Sequence, residues 1–140
     1  MAKKIVVDSS VIVKWVSSDK EEHLEQADKI LRDAEAGKIE LYAAELAKYE
    51  VGNALLKGKE LPLSQVSISL GVFYALPITF LDETEQLARS SYEMARDSKM
   101  TYYDAAFLSV AKALGGLLIT DNIKHQGKTS EVHVTALRNY

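Results

Sequence analysis

The chain has 140 residues, of which 47% are hydrophobic and 26% charged, and this length and composition predict one globular domain spanning 1–140. It contains no cysteine, which excludes disulfides and thiolate chemistry, and no apolar run long enough for a membrane span or a secretory signal, so the cytoplasm is the expected compartment. A formal net charge of −3 argues against a protein that binds nucleic acid through bulk charge, although not against an enzyme that acts on nucleic acid.

Short β-branched runs alternate with amphipathic segments along the chain. The runs that predict strands are 5–7, 39–42, 78–81, 117–120 and 132–134. The segments that predict helices are 9–16, 21–36, 44–56, 63–76, 82–97 and 102–114. Because strands separated by helices need crossover connections, the expected fold is α/β, with a mainly parallel sheet of four to five strands covered on both faces.

Two aspartates follow directly after predicted strands. Asp8 comes after 5–7, and Asp121 comes after 117–120. Ligands of open α/β sheets bind beyond the carboxyl ends of the strands, so both aspartates are candidates for a functional site. Each of them, taken alone, could equally cap the helix that follows its strand.

Two further acids lie on predicted helices at the edge of an apolar stripe. Three of the four residues three or four positions from Glu50 are apolar, and Asp104 has Phe107 and Leu108 at the same spacing. A buried, unpaired carboxylate is costly and tends to protonate, so such positions suggest a role for the charge. Two alternatives stay open: Glu50 could reach the surface or pair with a base, and Asp104 could form a capping box with Thr101.

Together the four acids predict a metal site. Two strand ends and two helices each bring one carboxylate toward the same edge of the sheet. Carboxylates a few ångström apart repel by about 4 kcal/mol per pair at an effective dielectric of about 20, so the cluster needs protons or a cation. Oxygen ligands without Cys or His favour Mg²⁺ or Mn²⁺ over zinc. The three histidines show no ligand spacing and are interpreted as ordinary polar residues.

Four segments carry a family resemblance. They are 6–15 (VVDSSVIVKW), 50–55 (EVGNAL), 103–111 (YDAAFLSVA) and 117–122 (LLITDN). In order and spacing, over essentially the whole chain, they resemble the PIN-domain family and specifically its VapC-like toxin ribonucleases. The resemblance implies a three-layer α/β/α fold, Mg²⁺- or Mn²⁺-dependent cleavage of RNA, a homodimer and a small cognate antitoxin, with no membrane partner.

The resemblance also implies site residues. It carries over Asp8 and Asp104 as metal ligands and Glu50 as a ligand or as the base that orients the attacking water. The fourth motif departs from the family, which usually has an acid two residues after the threonine, where this chain has Asn122. Asp121 stands one residue early and is predicted as the fourth acid, with Asn122 as the alternative ligand.

Several neighbours of the acids have weaker signals. Thr120 and Ser9 are candidate hydrogen-bond partners of the carboxylates, or else capping residues. Four lysines could contact an RNA backbone or be solvated: Lys14, Lys48, Lys57 and Lys59. A phosphoacceptor receiver domain would need a lysine after the last central strand and would leave Glu50 unexplained. The more credible rival is a catalytically silent PIN fold that binds RNA or protein.

Overall fold

The computed structural model describes residues 2–140. Within this range five strands form one sheet: β1 (Lys3–Val7), β2 (Ile39–Ala44), β3 (Ile78–Leu81), β4 (Leu117–Thr120) and β5 (Val134–Ala136). Their spatial order is β3-β2-β1-β4-β5, and each neighbouring pair is parallel. The prediction of a mainly parallel sheet of four to five strands is confirmed, although the last strand begins two residues later than its pattern predicts.

Helices connect the strands in the described chain. They are α1 (Ser9–Val16), α2 (Leu24–Glu35), α3 (Leu46–Asn53), α4 (Leu63–Ala75), α5 (Glu85–Ser98), α6 (Tyr102–Leu114) and α7 (Ile123–Gln126). A π-helical turn, Ala54–Gly58, extends α3, and a 3₁₀ turn, Leu137–Asn139, follows β5. In this part of the chain no helix is both long enough and apolar enough to cross a membrane.

The central strand β1 shows that helices cover both faces of the sheet. Ile5, Val6 and Val7 are all buried, although successive strand residues point to opposite faces. Helix α6 packs against β1, β2 and β4, while α1 packs against β1 and β4 together with α2, α3 and α4. Burial on both faces is what a parallel sheet with crossover helices requires, and it confirms the three-layer arrangement.

Three helix starts differ from the sequence pattern, those of α2, α3 and α5. Helix α5 begins at Glu85 rather than at residue 82, because Thr84 is its N-cap. Helix α2 begins at Leu24 rather than at residue 21, because His23 adopts a left-handed conformation with φ of 59° and the preceding residues stay outside the helix. Ala44 belongs to β2 and not to the next helix, which starts at Leu46. The π-helical turn after Asn53 was not predicted.

The two glycines that end α6 have separate roles. Gly115 has a φ of 64°, the left-handed value that commonly ends a helix. At Gly116 a Cβ would lie 2.6 Å from the carbonyl oxygen of Lys4, so only glycine allows β4 to start this close to β1. These two strands therefore run side by side, and their carboxyl ends place Asp8 and Asp121 at the same edge of the sheet.

Candidate active site

Asp8 is a buried carboxylate, only 4% exposed, at the end of β1. It occupies the N-cap position of α1, yet its side chain makes no capping hydrogen bond. The Val11 amide instead donates to the main-chain carbonyl of Asp8 at 3.2 Å. The Asp8 side chain therefore makes no capping hydrogen bond to α1, although the nearby Val11 amide lowers the pKa of its carboxyl.

Two hydroxyl groups hold the Asp8 carboxylate. Ser10 Oγ donates to Oδ1 at 2.5 Å, and Thr120 Oγ1 donates to Oδ2 at 2.7 Å. Each hydroxyl also accepts a backbone amide, Asp121 N–H onto Ser10 at 3.1 Å and Asn122 N–H onto Thr120 at 2.8 Å. Because a hydroxyl that accepts from an amide turns its own proton elsewhere, both protons are directed at Asp8. The segment after β4 thus fixes the donors that stabilise the charged carboxylate.

Electrostatic repulsion connects three of the four predicted acids. Burial raises the pKa of Asp8, the two hydroxyl donors and the Val11 amide lower it, and the charge of Glu50 raises it, so that the net pKa is about 6. Burial likewise raises the pKa of Glu50, the hydrogen bond from Ser9 lowers it, and the charge of Asp104 raises it. A cation among these carboxylates would relieve both the burial cost and the mutual repulsion.

Glu50 lies half-buried on α3, as its position at the edge of the apolar stripe predicts. Ser9 Oγ donates to Glu50 Oε1 at 2.7 Å, across 41 residues of sequence. Ser9 is therefore a partner of an acid, as predicted, but of Glu50 rather than of its neighbour Asp8. Ser10 was not predicted, and its only signal in the sequence was its place beside Ser9 in the first turn of a helix that starts at the carboxyl end of a strand.

Asp104 lies in the first turn of α6. The Thr101 hydroxyl accepts from the Asp104 amide at 3.0 Å, so the predicted cap is present. Capping uses the main chain of Asp104 and leaves its half-buried carboxylate free to act on Glu50, whose pKa the charge of Asp104 raises. The capping and the site interpretations of this residue are compatible.

Asp121, the fourth predicted acid, has a different partner. Its Oδ2 lies 3.1 Å from the ammonium of Lys14, whose side chain is only 2% exposed, whereas that of Asp121 is 34% exposed. Lys14 is consequently buried and not free to contact RNA. The prediction that Lys14 could contact an RNA backbone is therefore wrong. Lys48 pairs with Glu45 and Lys59 with Glu21, whereas Lys57 is exposed.

An open cleft gives solvent access to the site. Its volume is about 530 Å³, and its lining includes Ser9, Ser10 and Glu50 together with the exposed rings of Tyr49 and Tyr103. A more enclosed cavity of about 200 Å³, walled largely by apolar side chains, adjoins it at Tyr103. Glu50, Ser9 and Ser10 line the first of these, and Ser10 connects it to the buried Asp8 carboxylate, so this cleft is the one that concerns chemistry.

The donor set can be compared with the needs of a metal ion. Among residues 2–140, no three acidic or histidine side chains already converge as a ready-made coordination shell. The chemistry nevertheless fits a hard divalent cation, since the groups at the cleft are carboxylate oxygens and hydroxyls with no sulfur or imidazole beside them. Burial is the main cause of the raised pKa of Asp8, and carboxyl groups perturbed in this way are common at functional sites.

Comparison with known proteins identifies the family. The PIN domain pattern matches residues 5–129. The chain is 32% identical over 124 residues to Ribonuclease VapC3 of Pyrobaculum aerophilum, covering 84% of this chain and 88% of that protein.

Two solved structures share the fold. PAE2754 from Pyrobaculum aerophilum matches with a TM-score of 0.71 at 24% identity, over 99% of this chain and 93% of that one. VapBC2 from Rickettsia felis, bound to a DNA fragment from its promoter, matches with a TM-score of 0.70 at 14% identity, over 95% and 98% of the two chains. With the family pattern spanning all four predicted acids and a relative 32% identical over most of its length, the chain belongs to the PIN domain family, among relatives of the VapC kind.

Proposed function

We propose that the protein is a divalent-metal-dependent endoribonuclease that hydrolyses RNA phosphodiester bonds at the acid cleft. The observation that carries the proposal is the Asp8 carboxylate, which is buried, held in place by two hydroxyl donors, and repelled by a second carboxylate at Glu50. Burying a carboxylate in this way costs folding free energy. Groups that carry such a cost are common at functional sites. The relative named Ribonuclease VapC3, at 32% identity, supports the reaction class.

Asp8, Glu50 and Asp104 would hold Mg²⁺ or Mn²⁺, and Asp121 stays a predicted fourth member. When bound, the ion supplies a more acidic water and neutralises charge on the phosphate oxygens. The hydroxyls of Ser10 and Thr120 keep both oxygens of Asp8 in a fixed orientation. Glu50 is suited to accept a proton from the attacking water, because burial and Asp104 raise its pKa.

The partners follow from the same proposal. A toxin of this kind would be held inactive by a small cognate antitoxin and would form a homodimer. The neighbour VapBC2 supports an antitoxin partner, and α4 offers an exposed apolar surface suited to a protein contact, with Leu63 87% and Ile68 70% exposed. The RNA would enter the cleft beside Tyr49 and Tyr103, whose rings can stack on unpaired bases.

The test is cleavage of single-stranded and structured RNA with Mg²⁺ or Mn²⁺, with and without excess EDTA. We expect cleavage that stops with the chelator and that Glu50→Gln reduces by at least about a hundredfold. Glu45→Gln is the matched control, since Glu45 is on the same segment but pairs with Lys48. Undiminished cleavage in EDTA, or equal activity of the two variants, would contradict the proposal.

A second candidate function is a catalytically silent PIN fold that binds RNA or protein. The pairing of Asp121 with Lys14, which takes one acid away from the cluster, favours it. RNA that binds in Mn²⁺ but stays uncut would support this alternative, whereas Mn²⁺-dependent cleavage would exclude it.

A further inference from the structure

Lys14 is a buried cation with a full set of partners. Its Nζ lies 2.9 Å from Glu21 Oε1, 2.7 Å from the carbonyl oxygen of Glu22 and 3.1 Å from Asp121 Oδ2. An ammonium group has three protons, and each of these acceptors can take one. The side chain is therefore anchored from two segments, the one before α2 and the one after β4.

The partners of Lys14 form an alternating set of charges. Glu21 Oε2 lies 2.8 Å from the Nζ of Lys59, which also donates to the Asp19 carbonyl. The order Lys59, Glu21, Lys14, Asp121 thus contains two cations and two anions, with no net charge. Asp121 is the member next to the acid cleft, and Lys14 is its neutralising partner.

Asp121 also connects Lys14 to the Asp8 carboxylate. The Asp121 amide donates to Ser10 Oγ, which in turn donates to Asp8 Oδ1. The residue before it, Thr120, donates to the other oxygen of Asp8. The segment 120–122 is thus tied to Asp8 through its hydroxyl and amide groups and to Lys14 through the Asp121 carboxylate.

We propose that Lys14 is a positioning residue of the acid site, which holds Asp121 in an ion pair that is buried on the lysine side and so sets both the charge of the cleft and the placement of segment 120–122 against Asp8. Without the Lys14 ammonium, the carboxylate of Asp121 would add one negative charge beside Asp8, Glu50 and Asp104. The role deepens the proposed nuclease function and rests on it, because the charge of the cleft acts on the divalent ion.

The experiment compares Lys14→Met, Asp121→Asn and the double variant with the wild-type protein. Mn²⁺ affinity is measured by calorimetry on the full chain, and stability by urea unfolding without metal. We expect Lys14→Met to bind Mn²⁺ roughly threefold to tenfold more tightly, since an uncompensated anion attracts the ion, while RNA cleavage slows because segment 120–122 has lost its anchor. Asp121→Asn should bind Mn²⁺ more weakly, since it leaves the Lys14 cation uncompensated.

The double variant separates this role from a merely structural one. Removal of both charges should return the Mn²⁺ affinity to within about twofold of the wild-type value and raise the urea midpoint above that of Lys14→Met, because breaking one side of a buried pair is worse than removing both. Lys59→Met is the control: Lys59 is also buried and pairs with Glu21 but not with Asp121, so its loss should lower the urea midpoint and leave the Mn²⁺ affinity unchanged.

The outcomes distinguish the two proposals. Wild-type protein that binds no Mn²⁺ would overturn the metal-dependent function. Wild-type protein that binds Mn²⁺, with an affinity that Lys14→Met leaves unchanged or weakens, would overturn the role of Lys14 alone. If Lys14→Met does not fold, Asp121→Asn decides, and an unchanged Mn²⁺ affinity in that variant would overturn the role as well.

Discussion

Thr120 Oγ1 lies 2.7 Å from Asp8 Oδ2 and joins the carboxyl ends of the neighbouring strands β4 and β1. We expect Thr120→Val, which keeps the shape and removes the hydroxyl, to lower the free energy of unfolding by about 1–3 kcal/mol at neutral pH, because Asp8 loses a donor and the Asn122 amide loses an acceptor. The same loss should raise the pKa of Asp8 further and weaken Mn²⁺ binding. Urea unfolding and Mn²⁺ calorimetry measure the two effects.

Thr129→Val is the matched control for that variant. Thr129 is also buried, and its hydroxyl accepts from the Glu131 amide at 3.1 Å, away from the acids. The Thr129→Val variant should be less stable than the wild-type protein and keep its Mn²⁺ affinity. If both valine variants weakened Mn²⁺ binding equally, the bond from Thr120 to Asp8 would have no specific role in the site.

Asp8→Asn tests whether the Asp8 charge serves function rather than folding. We expect the metal-free variant to be as stable as the wild-type protein at pH 7, or slightly more stable, because the buried charge and its repulsion by Glu50 are gone. Mn²⁺ should raise the melting temperature of the wild-type protein and leave that of the variant unchanged. A large loss of stability in the metal-free variant would mean that the carboxylate has a structural role.

The raised pKa of Asp8 predicts a pH dependence. Since the pKa is about 6 in the folded state and 3.8 ordinarily, the protonated carboxyl stabilises the fold. This contribution is fully present below about pH 3.8 and is lost as the pH rises through about 6. Relative to Asp8→Asn, the free energy of unfolding of the metal-free wild type should fall by about 2 kcal/mol between about pH 4 and pH 7. Urea unfolding of both proteins at several pH values measures this change. If the stability of the wild type relative to Asp8→Asn stayed constant or rose with pH, a raised pKa of Asp8 would be contradicted.

The departure in the fourth motif can be tested by comparing Asp121→Ala with Asn122→Ala. We expect Asp121→Ala to weaken Mn²⁺ binding well beyond Asn122→Ala, because it removes a negative charge and leaves Lys14 uncompensated. Asn122 contributes its main-chain amide, which donates to Thr120 Oγ1 and which alanine keeps. Calorimetry with Mn²⁺ on both variants decides, and the reverse order would assign the ligand position to Asn122.

Strand ends and helix faces allowed much of the site to be predicted from the sequence. Asp8 follows directly after a strand of β-branched residues, and Glu50 interrupts the apolar stripe of a helix. Local patterns alone therefore suggest both as site residues. Helix α6 begins and ends where the Thr101 cap and Gly115 predict. These features depend on neighbours within a few residues, which the sequence displays directly.

Long-range partners could not be predicted in the same way. Glu21 fits the amphipathic pattern of α2, yet Lys14 and Lys59 both bind its carboxylate, and the helix starts only at Leu24. Ser9 and Ser10 are adjacent serines in one turn, and only the fold shows that one donates to Glu50 and the other to Asp8. Their roles depend on which elements meet in space.

The place of β1 in the middle of the sheet has a consequence for how the protein is made. Asp8 leaves the ribosome 112 residues before Thr120, whose hydroxyl is a partner of its carboxylate. A growing chain can pair β1 with β2 long before β4 exists to complete the other side. Closing so long a loop is slow, and it must wait until β4 has been synthesised. We therefore expect a chain that stops short of β4 to lack a complete acid site, so that the proposed RNA hydrolysis begins only after β4 has been translated.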